Sequence, residues 1–266
     1  MKKPALIATI AVVLVIIVGL VLYFKKSSNK GPDVVDDTPL DLPINTLPLA
    51  ERPFITLSPD STGRSLDISL SGAPTEGELE YEMIYNASGK QEGALGSIFL
   101  GSEQQPILKA ILLGSKSGGG KITYHEGVTG GSMTVTYGET RLKESWNYLH
   151  FNPEDPIFSS TDVRFSMTLT KTALKKDSVI ITMKTFGYPK EGLSDGAKVV
   201  AGPYGYFTQT AIKGSASVEL KLPAGEYVNP TIYEWDGKTW KKLISKLKDD
   251  TVTAAATANV FLVTAE

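Results

Sequence analysis

The stretch Leu79-Glu80-Tyr81-Glu82-Met83-Ile84-Tyr85 (LEYEMIY) alternates apolar and charged side chains almost throughout. A period of two residues is the signature of a β-strand with one buried face. Similar runs recur between clusters of Gly, Asn and Asp, at residues 66–70, 79–85, 133–137, 163–169, 179–183 and 218–222. Because no long helical pattern separates these runs, the sequence predicts a mainly β fold built from antiparallel sheets.

The strand-rich region divides into two blocks of similar size. Residues 53–151 form the first block and residues 152–266 the second, with Asn152-Pro153-Glu154-Asp155-Pro156 between them. Paired prolines interrupt the hydrogen bonding of a sheet. The sequence therefore predicts two β-sandwich-like domains, and the alternative is one intertwined all-β domain of about 210 residues.

The N-terminal stretch ALIATIAVVLVIIVGLVLYF, residues 5–24, contains no charge from Ala5 to Phe24. Twenty residues at about 1.5 Å per residue span ~30 Å, which is the thickness of the hydrocarbon core of a bilayer. The run is longer than the apolar core of a cleaved signal peptide, and Lys25 and Lys26 follow it. Residues 1–26 are therefore predicted to be a retained transmembrane helix in contact with membrane lipid.

Residues 27–52 have the composition of an extended tether. Prolines and aspartates are interspersed there, at positions 32, 33, 36, 37, 39, 41, 43 and 48. Such a linker extends by about 3.1 Å per residue. The lysines on the two sides of the apolar stretch nearly balance, so the strand-rich body decides the orientation. We expect a single-pass protein of the cytoplasmic membrane, with its N-terminus inside and its C-terminal domains outside.

Composition and motifs exclude several kinds of chemistry. The 27 basic and 29 acidic residues give a net charge of −2, which argues against nucleic acid as a partner. The chain has no Cys, so disulfides and thiolate ligands are excluded. The loop GSKSGGGK, residues 114–121, has Ser115 and Ile122 where a nucleotide-binding P-loop needs Gly and Ser or Thr. The two histidines, His125 and His150, are predicted to be exposed. No nucleotide, metal, cofactor or catalytic residue is predicted.

The candidate binding residues are Trp146, Tyr148 and His150, which alternate along one predicted strand and therefore share a face. If that face is exposed, the three rings form a flat surface for an envelope glycan or a protein partner. If it is buried, they fill the core. Leu149 and Phe151 make the other face apolar too, which predicts a strand that is covered on both sides.

The C-terminal region contains a hairpin signal and an ambiguous basic stretch. Asp236-Gly237, between two aromatic-bearing runs, predicts a type I′ turn. In residues 238–248, apolar side chains recur at helical spacing among lysines. This pattern allows a basic amphipathic helical turn that contacts lipid headgroups, or an edge strand that its lysines protect.

Two stretches of the second block resemble known modules. Residues 163–183 (VRFSMTLTKTALKKDSVIITM) resemble the start of ZU5-like β-sandwich modules. Residues 232–240 (IYEWDGKTW), with residues 252–254 and Phe261, resemble the closing strands of bacterial surface sandwiches. The whole arrangement is similar to single-pass envelope proteins of bacteria with a β-sandwich ectodomain. This resemblance implies the topology and no activity.

These observations predict a membrane-anchored extracytoplasmic binding or scaffolding protein of the cell envelope, not an enzyme. One alternative is an anchored hydrolase of cell-wall polymers that uses Glu154 with Asp155 or Glu76, which requires two carboxylates about 5–9.5 Å apart. Another alternative is a subunit of a membrane protein complex, in which the helix itself contacts a partner.

Overall fold

The computed structural model of the protein describes residues 42–101, 104–194 and 196–266. Residues 42–266 form one compact unit. The predicted membrane anchor, residues 1–26, lies outside the described residues, as does the predicted tether up to residue 41. Across the three described ranges, no helix is both long and apolar enough to cross a lipid bilayer.

The described chain consists mainly of β-strands in several antiparallel sheets, which confirms the mainly β part of the predicted fold class. All six stretches with a period of two residues coincide with or overlap a strand. In chain order the strands are β1 (Phe54–Pro59), β2 (Ser65–Ser71), β3 (Gly77–Ala87), β4 (Lys90–Leu100), β5 (Ile107–Leu112), β6 (Gly114–Lys116), β7 (Ile122–Tyr124), β8 (Val128–Tyr137), β9 (Thr140–His150), β10 (Ile157–Ser159), β11 (Phe165–Thr168), β12 (Val179–Lys184), β13 (Lys198–Thr208), β14 (Ala216–Lys221), β15 (Thr231–Trp235), β16 (Trp240–Lys242), β17 (Lys246–Lys248), β18 (Thr251–Ala256) and β19 (Val260–Ala265).

The strands form four sheets. The largest has nine strands in the order β16-β15-β19-β13-β12-β9-β8-β3-β4, and we call it the central sheet. A second sheet has the order β1-β2-β5, and a third has the order β10-β11-β14-β18-β17. Strands β6 and β7 form a small separate hairpin, which contains the GSKSGGGK loop.

Two apolar cores lie against opposite faces of the central sheet. The first core joins it to the three-stranded sheet, and the second joins it to the five-stranded sheet. Strand β12 contributes Ile181 to the first core and Ile180 to the second. Strand β19 likewise contributes Leu262 to the first and Phe261 to the second. Since successive side chains of a strand point to opposite faces, the smaller sheets are outer layers on either side.

The strands between the two cores are apolar on both faces. Residues 260–263 of β19 are all buried, as are residues 179–183 of β12. Phe261 packs in the second core against the rings of Phe165 and Tyr206, with ring centroids 5.8 Å and 6.2 Å away. Continuous apolar runs are typical of strands that are covered on both sides.

The predicted division between residues 151 and 152 falls inside this compact unit. The central sheet crosses it, because β9 pairs with β12. Most of the first core comes from residues before the division and all of the second core from Phe151 onward. The division into two domains thus corresponds to two cores that share one sheet, and separate folding of the blocks stays a prediction.

The last part of the predicted tether, residues 42–52, packs on the sheets. The side-chain amide of Asn45 donates to the backbone oxygen of Lys143 and its oxygen accepts from the Lys143 amide, at 2.9 Å and 3.0 Å. The Arg52 guanidinium donates to the backbone oxygens of Leu47 and Asn45. The prediction of a free linker is therefore wrong for this part, because these hydrogen bonds hold it to the folded unit.

The basic stretch after Trp240 forms strands β16 and β17, so the helical interpretation is wrong and the edge-strand interpretation is confirmed. Trp240 is buried, whereas Ile244 is 94% exposed. An amphipathic helix would have placed both side chains on one apolar face.

The hairpin between β15 and β16 is present, but its turn differs from the predicted type. Trp235 pairs with Trp240, so four residues form the loop. Of Asp236 and Gly237, only the glycine has a positive φ, at 93°, whereas a type I′ turn needs positive φ at both central positions. The Asp236 carboxylate instead accepts hydrogen bonds from the amides of Lys238 and Thr239, each at 2.9 Å.

Candidate functional site

The predicted aromatic surface on β9 is not formed. Trp146 is 1% exposed and Tyr148 is 9% exposed, and both belong to the first core. The Tyr148 hydroxyl donates to the backbone oxygen of Gly63 at 2.7 Å, and burial raises the pKa of this phenol to about 12. Only His150 is exposed. The three-stranded sheet covers this face, so Trp146 and Tyr148 fill the core.

The opposite face of β9 is apolar as well. Phe151 is buried in the second core, and Leu149 packs against it. The predicted strand with two covered faces is therefore confirmed. The alternation of aromatic side chains identified the face correctly, but it carries no information about which outer layer covers that face.

A groove elsewhere on the surface combines aromatic and polar side chains. Its lining includes Phe54 from β1, Trp235 from the end of β15, and Asn259 from the turn between β18 and β19. Asp236 and Lys241 also line it, and its volume is about 390 Å³. We call this feature the Trp235 groove. Phe54 and Trp235 are half-buried, so each ring is held by packing and still presents a surface.

A buried carboxylate fixes one wall of the Trp235 groove. Glu234 is 7% exposed, and it accepts hydrogen bonds from the amides of Thr257 and Ala258 at 2.8 Å and 2.9 Å. The Thr257 hydroxyl donates to the same carboxylate at 3.3 Å. Three donors on one carboxylate satisfy a buried charge. The turn that carries Asn259 is therefore held in place by β15.

An ion pair is part of the lining of the Trp235 groove. The Lys241 ammonium lies 2.7 Å from the Asp236 carboxylate. This hydrogen bond, together with those from the Thr239 and Lys238 amides, lowers the pKa of Asp236. Glu234, Asp236 and Lys241 together carry a formal charge of −1. Such a lining offers hydrogen bonds to a neutral polar ligand and does not attract an anion.

A second hollow adjoins the Trp235 groove. It shares Phe207 and the turn 257–259 with the groove, extends to Ser58 and Ile212, and has a volume of about 290 Å³. The two hollows together could hold more than one unit of an extended ligand. Phe54, Trp235 and Asn259 are far apart in the sequence, so sequence reasoning missed the site; its one local signal is an aromatic residue directly before the Asp236-Gly237 turn.

His125 is part of a hydrogen-bonded cluster, and the prediction of an exposed loop histidine is wrong. Its side chain is 14% exposed. Its Nδ1 lies 2.8 Å from the Tyr85 hydroxyl and its Nε2 lies 2.9 Å from the Ser115 hydroxyl, while a Glu92 oxygen is 3.8 Å from Nε2. A serine beside a histidine is the geometry of a nucleophile and its base. Here Nδ1 faces a phenol rather than an orienting carboxylate, and the contacts join the β6–β7 hairpin to β3 and β4.

A second cluster surrounds Glu144 on β9. Burial raises the pKa of this carboxyl to about 7, against the opposing charges of Lys184 and Arg52, and the charge of Asp162 adds to the increase. The closest Arg52 nitrogen is 3.6 Å from Glu144 Oε1, an oxygen that has no hydrogen-bond partner within the described ranges. The ion pair is too long to offset the cost of burial.

The acidic residues of the hydrolase alternative are solvent-facing. Glu154 and Glu76 are exposed, and Glu154 forms an ion pair with Lys171 at 3.0 Å. Asp155 follows Glu154 in the turn after β9 and forms an isolated bridge with Asn152. Among the described residues, no group of three or more His, Asp or Glu side chains is arranged to hold a metal ion.

The amino-acid sequence matches no model of a known protein family, and no curated protein matches it. In the Trp235 groove, half-buried aromatic rings, polar groups and a turn that is held by Glu234 come together.

Proposed function

We propose that the protein binds a neutral glycan of the cell envelope in the Trp235 groove and is held at the cytoplasmic membrane by residues 1–26. The half-buried ring of Trp235, fixed at the end of β15, is the observation that carries this proposal. Sugars present flat apolar faces that stack on aromatic rings, and their hydroxyls pair with side-chain amides and carboxylates.

The lining supports this class of ligand over others. Asn259, Asp236 and Lys241 supply both donors and acceptors, as a sugar hydroxyl requires. The net negative lining disfavours polyphosphates and other anions. The adjoining hollow shares Phe207 and the turn 257–259 with the groove, so a second unit of a polymer has a place to bind nearby.

We also propose that the β-sheet unit is located outside the cytoplasmic membrane. The uncharged stretch 5–24 would act as the anchor of a single-pass protein with its N-terminus inside, and the β-sheet unit would lie outside the cytoplasmic membrane, as a ligand in the envelope requires. We further propose that the protein binds or scaffolds without cleaving, because the buried acid of the groove, Glu234, is fully engaged by hydrogen bonds from the turn 257–259.

Replacement of Trp235 with alanine should weaken glycan binding at least about tenfold, since truncation of a central aromatic residue commonly costs 2 kcal/mol or more. The measurement is co-sedimentation of the full-length protein, in detergent, with an insoluble neutral polysaccharide, and purified peptidoglycan sacculi serve as the substrate for the hydrolase alternative. Analysis of the supernatant for released fragments tests the hydrolase alternative in the same experiment.

The matched control is Tyr233→Ala, which removes a half-buried ring from the same strand and lies outside the groove lining. This variant should bind like the wild type. Equal glycan binding by Trp235→Ala and the wild type would refute the Trp235 groove as the binding site. Soluble glycan fragments in the wild-type reaction would favour the hydrolase alternative.

Protease treatment of intact cells, after removal of the outer layers, should digest the C-terminal unit and leave an N-terminal fragment in the membrane. This outcome follows from the proposed orientation, because an external protease reaches only the extracytoplasmic side. A C-terminal unit that resists digestion until the membrane is permeabilised would reverse the orientation. Recovery of the full-length chain in the soluble fraction would remove the anchor.

A further inference from the structure

Strand β4 forms an unprotected edge of the central sheet. Within the described residues it is at the end of the strand order, paired only with β3, and it spans Lys90–Leu100. A free edge presents a row of unpaired backbone groups that can pair with another strand. The long free edge of β4 is therefore a surface on which a further strand could add.

The turn between β3 and β4 determines which backbone groups face this free edge. Ser88 and Gly89 form the two-residue turn, with φ of 48° and 77°, and Ala87 pairs with Lys90. In such a turn the closing pair is hydrogen-bonded, and hydrogen-bonded pairs then alternate along the ladder. The groups that face outward thus belong to every second residue of β4: Gln91, Gly93, Leu95, Ser97 and Phe99.

The side chains of this outward-bonding set include two large exposed apolar residues. Leu95 is 77% exposed and Phe99 is 67% exposed. They lie on the same face of the sheet because their positions differ by four. Their neighbours Gly93 and Ser97 are small, which leaves room for a second chain to approach closely.

Two other edge strands of the described chain carry protective lysines, whereas the edge strands β1 and β10 carry none. Edge strand β16 contains Lys241 and Lys242, and edge strand β17 contains Lys246 and Lys248. Lysines on an edge oppose strand addition. The only lysine of β4 is its first residue, Lys90. The β4 edge therefore lacks the protection that the opposite end of the central sheet has.

We propose that β4 pairs with β4 of a second copy of this chain, antiparallel and centred on Leu95, to form a symmetric dimer with one continuous eighteen-stranded sheet. In this register Leu95 faces the partner's Leu95, Gly93 faces the partner's Ser97, and Gln91 faces the partner's Phe99. These are the residues whose backbone groups point outward. A two-fold axis through the centre of the strand makes the contact self-complementary.

Charge supports a second copy as the occupant. In this register Lys90 faces the partner's Leu100 and Glu92 faces the partner's Ile98, so no like charges are directly opposed. The closest acidic residue of β3 is Glu82, which pairs with Leu95. The two Glu82 side chains of a dimer would be three strand spacings apart, about 14 Å, which exceeds the Debye length of roughly 8 Å at physiological salt.

Disulfide cross-linking tests the central contact, and the natural chain has no Cys to interfere. Leu95→Cys should form linked dimers under mild oxidation in membranes, because residues facing each other in a hydrogen-bonded antiparallel pair have Cα atoms about 5.5 Å apart, within the range for a disulfide. The control is Leu108→Cys on β5, at a position that is 68% exposed. Leu95→Cys should link at least about ten times faster, since a docked pair has a high effective concentration.

The register has its own test. Chains with Gly93→Cys should link to chains with Ser97→Cys faster than either links to itself, because each residue is opposite the other and about 13 Å along the strand from its own counterpart. Preferential self-linking of both variants would overturn the register. A rate for Leu95→Cys no higher than for Leu108→Cys would overturn the interface.

A charge at the centre of the proposed β4–β4 contact tests how much this contact stabilises the dimer. Leu95→Lys places two ammonium groups opposite each other, so it should convert the full-length protein in nanodiscs from dimer to monomer by sedimentation velocity, whereas Leu108→Lys should remain dimeric. Both positions are exposed, so both variants should keep the wild-type circular dichroism spectrum. A monomeric wild type would refute the proposal. A dimer that persists in Leu95→Lys would also refute it, because the contact would then lie elsewhere in the chain. Glycan binding is a separate readout, so failure of the dimer leaves the Trp235 groove untouched.

Discussion

Replacement of Trp146 with alanine should lower the free energy of unfolding by about 3–5 kcal/mol. The side chain is 1% exposed in the first core, and its loss leaves a cavity between the central and three-stranded sheets that rigid strands cannot close. The measurement is urea-induced unfolding followed by circular dichroism. Under conditions where the variant is still folded, it should bind glycan as the wild type does.

Trp146→Phe is the conservative comparison. It keeps a large ring and removes an indole N–H that has no hydrogen-bond partner within the described ranges. Deletion of an unpaired buried donor relieves its desolvation cost of about 1–3 kcal/mol and offsets part of the lost packing. The phenylalanine variant should therefore be clearly more stable than the alanine variant. Loss of glycan binding in a folded Trp146→Ala protein would contradict the expectation that the Trp235 groove keeps its shape when the first core is altered at this position.

Replacement of Glu144 with glutamine should stabilise the protein at pH 8 and remove much of the pH dependence of its stability between pH 5 and 8. Burial raises the pKa of this carboxyl from 4.5 to about 7. The folded state therefore holds a proton that the unfolded chain releases. This favourable contribution is complete below about pH 4.5 and is lost as the pH rises through about 7.

The size of this loss follows from the shift in pKa and is on the order of 3 kcal/mol. A glutamine in the same place never ionises, so the variant should exceed the wild type in stability by about 1–3 kcal/mol at pH 8 and match it near pH 4.5. The control is Glu154→Gln, which removes an exposed acid and should keep the wild-type slope. A wild-type protein that becomes more stable from pH 5 to 8 would contradict the prediction.

The strands were predictable because a period of two residues is a local property. The alternation in residues 79–85 marks β3 whether or not another sheet lies above it. Layering is not local: the same alternation at Trp146 and Tyr148 fits an exposed surface and a core equally well. This face of β9 is buried because β1, β2 and β5 cover it, and these strands lie 30 or more positions earlier in the chain.

The Trp235 groove and the Glu144 cluster escaped prediction for the same reason. Phe54 and Trp235 meet only after the strands have been ordered in the sheets. Arg52 was assigned to a free tether because its surroundings are rich in Pro and Asp. That composition gives no sign that its guanidinium lies near a carboxylate far away in the sequence, 3.6 Å from Glu144. Lysines in β16 and β17, by contrast, indicated edge strands correctly, since edge protection is visible in the sequence of the edge itself.

Alternate side chains of β12 and β19 enter different cores, and this arrangement limits how the gene could be rearranged. Separation of the chain after residue 151 would remove Ile181 and Leu262 from the first core. These apolar side chains would then be exposed to solvent on the C-terminal piece. Exchange of either block alone for an unrelated one should therefore leave this apolar surface uncovered. Recombination within this lineage would therefore be expected to keep the region from Leu42 to Glu266 as one inherited block.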